Sequence, residues 1–135
     1  YDDIYDVAED YQLETIELLI NDNNKGTYSK DDIFNYFDDV FTCLKKNETI
    51  YRMLLASNET LFFLERLRKL SNQKLYCAIK DNKENKENNK YLELDICFFV
   101  DGLISQIIKY YREQSDFTLE DLLINTKKWF EEIFP

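Results

Sequence analysis

A chain of 135 residues that holds two glycines and one proline has almost nowhere to put a tight turn. The proline is the final residue, Pro135, and the glycines, Gly26 and Gly102, lie far apart. Sheet proteins of this size use both residue types at their hairpins and corners, where ordinary residues do not reach the needed backbone angles. Helix interiors do better without either. The expected fold class is therefore all-α. An apolar content of 44%, with 16% aromatics, is enough to close a core, so residues 1–135 are expected to form a single domain.

The apolar spacing divides the chain into helices. Tyr1 to Ile20 carries Ile4, Val7, Ala8, Tyr11, Thr15, Leu18 and Leu19 at three- and four-residue steps. The polar stretch 21–26 then ends it, with Gly26 available for a left-handed cap. Ser29 followed by Asp32 is a variant capping box, and Tyr28 with Ile33 is placed to form a hydrophobic staple. From there Ile33, Phe34, Tyr36, Phe37, Val40, Phe41 and Leu44 make one broad face to about Lys46. Asn47 is expected to cap a short helix with Ile50, Tyr51, Met53, Leu54 and Leu55. Ser57 or Asn58 opens the next, whose apolar content runs from Leu61 to Leu70. A break or bend is expected near Ser71-Asn72, before Leu75, Tyr76 and Ile79. Residues 81–90 (DNKENKENNK) are wholly polar and aperiodic and read as a loop.

Two helices follow. In Tyr91–Glu113, Leu92, Ile96, Phe99, Leu103, Ile107 and Tyr110 form one stripe, and Cys97, Val100, Ile104, Ile108 and Tyr111 form the next. Together they span an arc of about 180°, wider than the ~100° that covers one core. Such a helix is expected to serve its own core and a second surface. The last helix starts at a second capping box, Thr118 with Asp121, and Phe117 and Leu122 can staple its entry. Leu119, Leu122, Leu123, Thr126, Trp129, Phe130 and Ile133 then share one stripe.

Much chemistry is missing. The chain has no histidine, which removes the usual Ser-His and Cys-His nucleophile pairs and histidine metal sites. Cys43, Cys77 and Cys97 are odd in number, lie in apolar helical stretches and lack metal spacing, which argues for a reducing cytoplasm. No phosphate-cradling glycine loop and no membrane-length apolar run occurs. Carboxylates such as Asp31, Asp32, Glu120 and Asp121 are abundant, but they stand in first helical turns, where caps and the helix dipole favour them. An enzyme, a cofactor and a metal are thus not expected. The net charge of −10 repels phosphate, so the chain alone is not expected to bind nucleic acid.

Two stretches carry a resemblance. One is Tyr28 to Leu70, with Ile33-Phe34-Asn35-Tyr36-Phe37, then Lys46 to Leu55, then Phe62-Phe63-Leu64-Glu65-Arg66-Leu67. The other runs from Cys97-Phe98-Phe99-Val100-Asp101-Gly102 through Tyr110-Tyr111-Arg112 to Phe117 and Trp129-Phe130. Their order of helix lengths and apolar positions resembles the C-terminal regulatory domain of TetR-type transcriptional repressors. Tyr1-Asp2-Asp3-Ile4-Tyr5 looks like the start of the helix that follows that family's helix-turn-helix, a DNA-reading head this sequence does not contain. The resemblance implies a cytoplasmic homodimer, contacting DNA only through that head and paired through its last two helices into a four-helix interface. The residues that would carry the pairing are Phe99, Leu103, Ile107 and Tyr110 on one helix, and Leu122, Thr126, Trp129 and Phe130 on the other. It also implies an effector pocket among the earlier helices. Phe37, Phe41, Tyr51, Leu54, Phe62 and Phe98 are the expected lining, suited to a small apolar effector because few basic side chains stand inside. The competing reading is a helical protein–protein interaction module without a small-molecule pocket.

Overall fold

The computed structural model describes residues 29–56, 61–80, 89–113 and 116–135. The expected first helix, Gly26, Tyr28, the caps at Ser57 or Asn58 and the stretch 81–88 fall outside them. Among the described residues there are five helices and no strand: α1 (Lys30–Lys46), α2 (Glu48–Ala56), α3 (Leu61–Ile79), α4 (Asn89–Arg112) and α5 (Leu119–Ile133).

Both expected capping boxes form. The Ser29 hydroxyl accepts from the Asp32 N–H at 3.3 Å, and the Asp32 carboxylate accepts from the Ser29 N–H at 2.8 Å. At α5 the Thr118 hydroxyl accepts from the Asp121 N–H at 3.1 Å, and the Asp121 carboxylate returns the bond to the Thr118 N–H at 3.0 Å. Each box satisfies two amides that a helix start leaves without partners. Asn47 directly precedes α2, as expected, but its side chain serves the end of α1. It ends α1, with its N–H on the Cys43 carbonyl at 3.3 Å and its side-chain amide turned back to the same oxygen at 3.5 Å. Its own carbonyl accepts from the Tyr51 N–H at 3.0 Å, so one residue joins two helices.

The expected break at Ser71-Asn72 does not occur: α3 runs unbroken from Leu61 to Ile79. Serine weakens a helix when its hydroxyl competes for nearby backbone groups. Here the Ser71 hydroxyl is buried and lies 2.6 Å from the Tyr36 hydroxyl of α1. A tertiary partner thus occupies the group that would otherwise disturb the helix. Leu64, Leu67, Ser71, Leu75 and Ala78 then form one buried stripe on an uninterrupted helix.

Helix α4 is the central element, packing against α2, α3 and α5, while α1 closes the other side against α5, α3 and α2. The core between α1, α4 and α5 is aromatic. Phe37 meets Phe130 edge-on at 5.6 Å between ring centroids and Phe99 at 6.0 Å. Phe130 also meets Phe34 at 5.6 Å and Phe134 at 5.4 Å. Tilted and edge-on pairs of this kind add about 0.5–1.5 kcal/mol each beyond area burial. Charged ties cross the surface above it: Lys127 to Asp38 at 2.6 Å joins α5 to α1, and Arg68 to Asp101 at 2.8 Å joins α3 to α4. Both are part-exposed and contribute little, within about 1 kcal/mol.

Candidate functional site

The surface of α4 separates into two halves. Leu92, Ile96, Val100, Ile104, Ile107 and Tyr111 are buried against the chain's own helices. On the outward side, between α4 and α5, lies an open groove of about 240 Å³. Phe99, Gly102, Leu103 and Gln106 form its α4 wall, and Asn125, Thr126, Trp129 and Ile133 its α5 wall. None of the eight is charged, in a chain one-third of whose residues are. Trp129 is 49% exposed and Ile133 43%. Gly102 stands in open space, since a Cβ placed there would meet no atom within 4 Å. Among the described residues nothing therefore requires a glycine at that position. One turn earlier Phe98 is 80% exposed, with Leu94 and Tyr91 also outward.

The eight residues expected at a dimer face are thus divided. Phe99, Leu103, Thr126 and Trp129 line the groove, and Leu122 is half-buried against the core. Ile107 and Phe130 face inward, almost fully buried in the chain's own core. Tyr110 turns toward α2, where its hydroxyl donates to the Glu48 carboxylate at 2.6 Å. Part of the wide arc of α4 is therefore consumed within the chain.

Of the six residues expected to line an effector pocket, four have described side chains. Phe37, Phe41 and Tyr51 are buried. The side chains of Leu54 and Phe62 lie outside those described. Phe98 departs from that expectation: among the described residues its side chain faces out. It lies two residues from both Ile96 and Val100, about 200° around the helix from each, so burying those two turns Phe98 away.

Two polar clusters escaped sequence reasoning. In the first, Glu48 accepts from Tyr110 and from Arg52 at 2.9 Å, and the Arg52 guanidinium lies 5.0 Å from the Tyr110 ring centroid and 5.8 Å from that of Tyr111. The Tyr110 hydrogen bond, helped by Arg52, holds the Glu48 carboxyl below its ordinary value of 4.5. Burial, then the neighbouring carboxylate, pushes the Tyr110 phenol above 10.0. Tyr111, more deeply buried, is raised further, and its hydroxyl donates to the Leu44 carbonyl at 3.0 Å. In the second cluster Lys74, only 4% exposed, places its ammonium 4.1 Å from the Tyr36 ring centroid, beside the Tyr36–Ser71 contact. A basic residue therefore does stand inside. Its place was readable: Leu67, Ser71, Lys74 and Ala78 follow four-, three- and four-residue steps, the buried spacing of a helix.

Among the described residues no helix is long and apolar enough to cross a membrane. Comparison with curated proteins and with solved structures found no match. A family model described as a transcriptional regulator C-terminal region, TetR_C_8, matches residues 31–131. That span begins in the first turn of α1 and ends within α5, so it includes all or most of each described helix. The chain accordingly belongs to the TetR-type family of transcriptional regulator C-terminal domains.

Proposed function

We propose that this chain is the dimerising and effector-responsive domain of a TetR-type repressor, forming one domain over residues 1–135, acting in the cytoplasm and pairing through the outward face of α4 and α5. The observation that carries the pairing is the uncharged groove between those helices. It holds a half-exposed Trp129 and a glycine that the packing of the described residues does not need. Charge depletion around an aromatic residue is the compositional mark of an interface centre. Leu103, Trp129 and Leu122 carry this face, with Phe99 and Thr126 as its floor. Ile107, Tyr110 and Phe130 support it from within the chain. Sedimentation equilibrium tests the reading directly: a mass of twice 16.4 kDa is expected, and a chain that stays monomeric at high concentration sinks it.

Family membership supports an effector response, with Phe37, Phe41, Tyr51, Leu54 and Phe62 as its proposed lining. A ligand bound only by the folded state at a hundred times its Kd adds about 2.7 kcal/mol of stability, so a thermal-shift screen of small apolar compounds is the test. The close ring contacts of Phe37 favour a second reading, a helical pairing module with no effector. A screen without a stabilising compound would support it.

A further inference from the structure

We propose that two copies cross antiparallel along α4 with Gly102 at the crossing point, so that Phe98 of each enters the α4–α5 groove of the other and Asp95 faces the partner's Lys109. This rests on the twofold pairing proposed above and assigns its register and its selectivity.

The register is written in the outward face of α4. Tyr91, Asp95, Phe98, Gly102, Ser105 and Lys109 follow one another at alternating four- and three-residue steps, and all six are exposed. This is the spacing of a seam between two helices. Its centre is Gly102, where backbones can approach closely because there is no side chain and no described residue of the same chain fills the space. An antiparallel twofold axis at that residue brings each position opposite the one equally far on the other side. Asp95 and Lys109 are both seven residues from Gly102, so each carboxylate meets the partner's ammonium, and the pair forms twice. Phe98, four residues before Gly102, meets the partner's Gln106, which is a wall of the groove beside Trp129.

The alternatives are worse on charge. A parallel crossing in register sets Asp95 against the partner's Asp95 and Lys109 against the partner's Lys109. Two chains that each carry −10 already repel one another, and like charges at a seam add to that repulsion. The antiparallel arrangement leaves the centre uncharged and closes both ends with opposite charges. It also gives Phe98 a place out of water, which no described part of its own chain supplies.

Sedimentation equilibrium of four samples tests this: the unaltered chain, Asp95→Lys, Lys109→Asp, and an equimolar mixture of the two variants. Asp95 and Lys109 are exposed, so both variants are expected to keep the helical circular dichroism of the parent. Each variant alone opposes like charges twice and should dimerise about tenfold more weakly at low salt. In the mixture every contact is again Lys against Asp, and dimerisation should return to within about threefold of the parent. Phe98→Ala should weaken the dimer about tenfold or more without loss of helix, and should shift the emission of Trp129, the single tryptophan, toward that of the monomer. If the parent is a dimer and the charge variants pair as it does, or the mixture fails to recover, the register is wrong while the pairing stands. An unaffected Phe98→Ala dimer overturns the insertion of that ring. A monomeric parent overturns the pairing itself.

Discussion

Tyr111 illustrates how one side chain can settle the end of a distant helix. The last four carbonyls of α1 have no partner within the helix, and the Tyr111 hydroxyl of α4 donates to one of them, on Leu44. Tyr111→Phe removes that donor inside the core and should cost about 1–2 kcal/mol in urea unfolding. Its neighbour Tyr110 acts through charge. Glu48 has a folded value below its unfolded one, so its contribution is present above the unfolded value and is lost as pH falls through the lowered one. Tyr110 is raised, so its contribution holds at neutral pH and is lost as pH climbs past 10.0. Tyr110→Phe should therefore flatten the fall in melting temperature between about pH 5 and pH 3, measured by circular dichroism. A variant whose acid profile matches the parent would show that Glu48 gains nothing from this bond. Ser71→Ala should cost about 1 kcal/mol by stranding part of the Tyr36 hydroxyl's bonding, yet leave α3 unbroken.

Element by element, the helix starts followed local chemistry and the helix faces did not. Ser29 with Asp32 and Thr118 with Asp121 place α1 and α5 because their bonds lie within four residues, so Thr118→Ala should cost about 1 kcal/mol. The faces of α4 depend on what lies around it. Ile107 and Leu103 are one turn apart and looked equivalent in sequence, but Ile107 is buried in the chain's own core and Leu103 stands at the groove. Ile107→Glu should unfold the chain, since it buries an unpaired charge. Leu103→Glu should leave most of the helical signal and raise the dimer Kd by at least about tenfold, read by sedimentation. Equal loss of fold in both variants would mean that Leu103 serves the core alone.

For the molecule as a whole, the dominant property is its charge. A net −10 with no described basic face gives a DNA backbone nothing to bind, so the 135-residue chain should show no salt-sensitive binding to duplex DNA. Binding that weakens steeply between about 50 and 200 mM salt would contradict this. A regulator built on such a domain needs its DNA contacts elsewhere, and under the pairing proposed above the domain's part would be to set the spacing of two DNA-reading heads.

The sequence by itself determined the class of fold, the two capped helix starts and the presence of surplus apolar surface on the last two helices. These rest on turn residues, local hydrogen bonds and periodicity, all of which act over a few positions. Only the tertiary structure decided how that surplus is divided. Phe37, expected at a pocket, and Phe99 and Phe130, expected at a dimer face, meet in one aromatic cluster. Phe98, expected inside, is outside, and Lys74, unremarked, is inside. Periodicity tells which residues share a face of a helix, but not which neighbour covers it. That depends on how α1, α4 and α5 cross, which is set by contacts between residues as far apart in the chain as Asp38 and Lys127.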